Sequence, residues 1–74
     1  MSISDISVPA SSGIARRVVT DERKALNARI SGLSELAESE RFKLHLEAER
    51  VLIFDQIECM QKYSQILAKR LLLY

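Results

Sequence analysis

His45 and Glu49 stand four residues apart in "HLEAE", a spacing that on a helix puts an imidazole beside a carboxylate, the pairing used in proton transfer. His45 is the only histidine, so there is no H-E-x-x-H pair and no set of four donors for a zinc ion. A solitary His/Glu pair on a helix surface is ordinarily a weak contact rather than a catalytic one. The one cysteine, Cys59, could act as a nucleophile if a cation or a helix N-terminus stabilised its thiolate. It lies instead between Glu58 and Met60 in the middle of a predicted helix, and reads as a small hydrophobe that is packed or interfacial. Gly13 and Gly32 are too far apart to form a phosphate loop, and "SSGIARR" lacks the Lys-Ser/Thr that such a loop requires. The sequence therefore predicts no catalytic residue, no metal site and no cofactor: a non-enzymatic protein.

The remaining chemistry is electrostatic. Arg16, Arg17, Arg23, Lys24 and Arg29 form a basic cluster that could contact phosphates, and this supports one reading, a small nucleic-acid-binding regulator. Asp21 and Glu22 dilute the cluster, no aromatic side chain is interleaved for base stacking, and the net charge is only +1. A solvated or interfacial role for these cations is the stronger expectation.

The elements that would hold these residues follow from size and periodicity. A chain of 74 residues bounds one domain that buries little of its surface and needs a staple or a partner, and a single cysteine supplies no intramolecular disulfide. With 47% hydrophobic and 28% charged residues, two glycines and one proline, the composition points to an all-α fold. Residues 1–19 hold the proline, several serines and no helical period, and are predicted to be an extended or flexible arm whose Ile3, Ile6, Val8, Ile14, Val18 and Val19 dock somewhere. A helical hairpin is expected over 20–74. Its first helix, about 20–37, starts at Thr20 and carries the stripe Leu26, Ile30, Leu33 and Ala37, with Gly32 marking a place where it could bend.

The second helix, about 40–73, carries Leu46, Ile53, Met60, Leu67 and Tyr74 at sevens, flanked by Ile57 and Leu71. This stripe is two positions out of phase with the first, about 200° at 100° per residue, so a turn should separate them. "ESER", residues 38–41, is the predicted turn, with Ser39 as a cap. A rival reading takes the alternation over residues 41–48 as a half-buried strand, though it would have nothing to pair with.

A helix of 20–37 covers only the first half of one of 40–73, and the hairpin is predicted to be lopsided. Its uncovered part, ending in "LAKRLLLY", would then pack into an oligomeric helical bundle. The expected interface is Leu46, Ile53, Ile57, Met60, Ile66, Leu67, Leu71, Leu72 and Tyr74, used for a homo-oligomer or within a larger protein complex. An amphipathic membrane foot at "KRLLLY" is the alternative for these residues, and four apolar side chains are few for stable anchoring. No signal peptide or transmembrane segment is evident, which predicts a cytoplasmic protein. In outline, a polar arm, a helical hairpin and the apolar helix "MQKYSQILAKRLL" resemble the needle and inner-rod subunits of bacterial secretion systems and their small helical chaperones. The proline-bearing turn typical of needle subunits is missing, so no functional residue carries over. The function expected from the sequence is a structural subunit or an adaptor or chaperone, of the kind used by a secretion apparatus or in phage assembly.

Overall fold

The computed structural model describes residues 9–74, with side chains from residue 13. It is an all-α hairpin: α1 (Pro9–Ala37), a short 3-10 helix (Glu40–Leu44) and α2 (Glu47–Leu71). Ile3, Ile6 and Val8 of the expected arm lie outside the described residues.

The first helix begins eleven residues earlier than the sequence suggested. Proline opens a helix well, because its missing N–H is one of the amides with no intrahelical partner and its ring presets a helical φ. What read as punctuation of an arm is a helix start, and Gly13 and Gly32 are carried through without a positive φ or a break. At 1.5 Å per residue α1 is about 43 Å long and α2 about 37 Å, so the first helix covers the whole of the second. The hairpin is not lopsided.

The phase shift between the two stripes is resolved by a turn, as expected, but a longer one. Ser39 is the cap: its Oγ accepts from the Phe42 amide (3.3 Å) and donates to the Leu36 carbonyl (2.7 Å). The helix it starts is the 3-10 segment and not α2. Phe42 is buried there and meets Phe54 edge-to-face, with ring centroids 5.4 Å apart, which closes that end of the hairpin. No strand forms among the described residues, so the alternating pattern of 41–48 ends up in the 3-10 turn and the start of α2. Glu47 and Glu49 in the first turn of α2, and Lys69 and Arg70 in its last, oppose the helix dipole at both ends.

The seam of α2 is a run of three-four spacings: Arg50, Ile53, Ile57, Met60, Ser64, Leu67, Leu71 and Tyr74 are all buried or half-buried. Facing it, α1 contributes Ala15, Val19, Leu26, Ile30, Leu33 and Ala37. Leu67 is fully buried and Val19 is 2% exposed. Val19 lies between Arg16 and Arg23 on α1 as Leu67 lies between Leu71 and Ser64 on α2, and the pairs Arg16–Leu71 and Arg23–Ser64 are in contact, so the two apolar side chains stand level.

Candidate interaction surface

The basic cluster divides. Arg16 donates to the Leu71 carbonyl near the end of α2 (3.2 Å), where a cation also suits the negative helix end. Arg23 donates through Nε to the Ser64 carbonyl (3.1 Å) and Ser64 Oγ (3.2 Å), and Ser64 Oγ in turn donates to Asn27 Oδ1 (2.7 Å). This polar knot sits in the seam, where Ser64 is buried among apolar residues, and fixes the register of the helices as a polar position does in a coiled coil. Lys24 lies on the same side, lining a groove with Thr20, Arg23, Asn27 and Leu71. Arg17 is exposed, and Arg29 lines a different groove with Gly32, Leu33, Gln56 and Met60. The five cations do not make one surface, and two of them serve the hairpin itself.

His45 and Glu49 are not on one helix, because the chain breaks between the 3-10 segment and α2. The His45 ring stacks at a tilt on Phe42, with Nδ1 3.3 Å from the Arg41 carbonyl. The helical spacing assumed for this pair is therefore corrected by the turn. Cys59 is a free, exposed cysteine. Among the described residues, no three His, Cys, Asp or Glu side chains gather as metal ligands.

The residues expected at an interface fall into two groups. Ile53, Ile57, Met60, Leu67, Leu71 and Tyr74 face α1 in the seam. Their stripe is as the sequence indicated, but its partner is the first helix of the same chain, which the sequence reading made too short to reach them. Leu46, Ile66 and Leu72 are exposed. Leu46 precedes α2, and Leu72 follows its last turn.

A second apolar stripe was missed. Leu52, Cys59 and Ile66 on α2 and Leu73 just past its end recur at sevens and all are exposed, at 65% for Leu52, 54% for Ile66 and 81% for Leu73. They run about 140° around the helix from the seam at 100° per residue. The Tyr63 hydroxyl donates to Glu22, and this contact orients the stripe relative to α1. Tyr63 is one turn from both Cys59 and Ile66, and Glu22 is one turn from both Val18 and Ala25, so these four residues share one side of the hairpin. Gly32 and Gln56, which line a single groove, extend the same side toward the loop. The α1 contribution is thus Val18, Ala25 and Gly32, also at sevens, with Val18 58% exposed. The opposite side carries Thr20, Lys24 and the exposed Asn27 of the knot and, near the loop, the groove lined by Phe42, Arg50, Val51 and Phe54.

No helix among the described residues is long and apolar enough to cross a membrane. A family model described as Sequestin matches residues 16–73, which is 58 of the 74 residues and spans both helices, and the chain belongs to that family. No curated protein and no solved structure matches the chain.

Proposed function

We propose that this Sequestin-family hairpin is a non-enzymatic interaction module, a structural subunit or adaptor that presents its exposed apolar side to a partner helix. One observation carries the reading: the stripe Leu52, Cys59, Ile66 and Leu73, laid out at heptad spacing and left uncovered. A solvated helix face has no reason to repeat large apolar side chains at sevens, whereas a helix-packing face needs that period. The cytoplasm suits such a module, since reducing conditions keep the exposed Cys59 thiol free.

The test is the size of the native complex. In extracts of the source cells, the chain should run in an assembly heavier than its own 8.4 kDa. Leu52→Glu with Ile66→Glu, which leaves the seam residues untouched, should release it. A chain that runs free at its monomer mass in such extracts would overturn the proposal.

A further inference from the structure

We propose that the groove beside the turn is a second docking site, separate from the outer stripe. Its occupant is a segment of another protein that carries a large apolar anchor, a carboxylate one helical turn from it, and basic residues to either side. The groove has a volume of about 430 Å³, inside the roughly 300–1,000 Å³ of ligand clefts. Val51 and Phe54 line it and are 52% and 54% exposed. A neighbouring hollow shares Ala37, Glu38 and Phe54 with it and adds Ser34 and Ile57, so the groove continues from Arg50 to Ile57, about 10 Å along α2. The apolar lining stops there, because farther along the same side α2 exposes Glu58, Gln61 and Gln65.

Arg50 decides what the groove accepts. It occupies a seam position of α2, followed at helical spacing by Ile53 and Ile57, and it is half-buried. Its Nε is buried with no hydrogen-bond partner. The ion pairs among the described residues, Lys43 with Glu40 and Lys62 with Glu58, leave the guanidinium without a carboxylate, although Glu47 stands one turn before it. A desolvated donor that lacks an acceptor is costly, and a guanidinium offers its N–H groups as a planar fork fitted to a carboxylate. Phe54 lies one turn after Arg50, about 5–6 Å between Cβ atoms. The acceptor and the apolar anchor of the occupant must be spaced alike, which on a partner helix means residues three or four apart.

The other charges set the rest of the pattern. Glu38 and Glu47 line the groove and are exposed, and neither is in an ion pair among the described residues. They repel a polyanion such as a nucleic acid, and they favour a segment whose single carboxylate is flanked by lysine or arginine. Lys43 also lines the groove, but Glu40 holds it at 3.3 Å.

Selection of a random-peptide phage library on the purified full chain tests the site. Recovered peptides should share a large apolar residue one turn from Asp or Glu. A synthetic copy of one should shift the backbone amide resonances of Val51 and Phe54 and leave that of Ile66 in place. Arg50→Gln should weaken its binding about tenfold or more, as loss of a charged hydrogen bond does. Replacing the peptide's carboxylate by its amide should cost the same factor against the unaltered chain and nothing further against Arg50→Gln. Val51→Glu, an exposed change that spares the seam, should abolish binding while far-UV circular dichroism keeps its helical signal. Gln65→Ala, on the same side beyond the groove, should leave binding unchanged. A library that yields no binder, peptides that hold Arg50→Gln as tightly as the unaltered chain, or shifts centred on Ile66 would overturn the site. Shifts at Phe54 caused by a single-stranded DNA oligonucleotide and lost in Arg50→Gln would overturn the protein segment as its occupant.

Discussion

Leu67 and Ile66 are neighbours of similar size and chemistry, yet the hairpin gives them opposite roles, and truncating each to alanine separates those roles. Leu67 is fully buried, level with Val19 in the seam. Removing its side chain forfeits the transfer energy of the lost methyl groups and leaves a cavity, together about 2–5 kcal/mol. A domain of this length has on the order of 4–11 kcal/mol of stability in total. With Val19, Phe42 and Leu67 as its only buried apolar side chains among the described residues, this one belongs near the lower bound. Leu67→Ala should therefore leave a large fraction of chains unfolded at 25 °C. Ile66 is 54% exposed, so at most about half of the 1.5–3 kcal/mol for complete burial is at stake. Alanine recovers a few tenths of a kcal/mol in helix propensity. The net loss for Ile66→Ala in the monomer is about 0.5–1 kcal/mol. Urea denaturation followed at 222 nm, at a chain concentration low enough to exclude association, measures both. Equal destabilisation by the two substitutions, or a silent Leu67→Ala, would show that the helices do not pack in this register.

Two further substitutions probe the turn and the polar knot. Ser39→Ala removes a hydroxyl that both donates to the Leu36 carbonyl and accepts from the Phe42 amide, and should lower unfolding stability by about 1 kcal/mol by urea titration. Ser64→Ala and Asn27→Ala should each cost about 1 kcal/mol. Because they break the same Ser64–Asn27 hydrogen bond, the double variant should lose less than the sum of the two, which a double-mutant cycle reads directly.

The architecture was legible where one period dominated. The α1 stripe Leu26, Ile30, Leu33 and Ala37 and the α2 stripe through Ile53, Met60 and Leu67 could be read at helical spacing, and their phase difference alone required a turn. The start of α1 could not be read in the same way. Pro9 and Gly13 signal loops when taken as residue types, and the helix that contains them is marked instead by Ala15 and Val19 continuing the Leu26 stripe backward, a continuation interrupted by the polar Glu22 and Arg23. Those two residues reach partners forty-one positions away, Glu22 to Tyr63 on the outer side and Arg23 to Ser64 in the seam, which no local pattern reveals. The error then propagated, since a first helix eleven residues shorter than the 29 of α1 made the covered face of α2 look free.

The second stripe stayed hidden for a related reason. Leu52 abuts Ile53, Cys59 abuts Met60 and Ile66 abuts Leu67, so in a linear reading each exposed apolar residue merges with its buried neighbour into one hydrophobic dipeptide. Only the resolved seam divides them, by showing which member of each pair faces α1. The division also bears on why the chain has the composition it does. A lone two-helix hairpin needs a single apolar face per helix, and the remainder can be charged. Here α2 spends a second heptad register on apolar side chains while its own seam admits Arg50 and Ser64, polar residues that weaken the intramolecular core and specify its register. The inner seam sets the alignment of α1 on α2, and that alignment in turn brings Val18, Ala25 and Gly32 level with the gaps in the outer stripe. The polar knot at Ser64 therefore shapes the outer surface without touching it, through the register it sets between the helices.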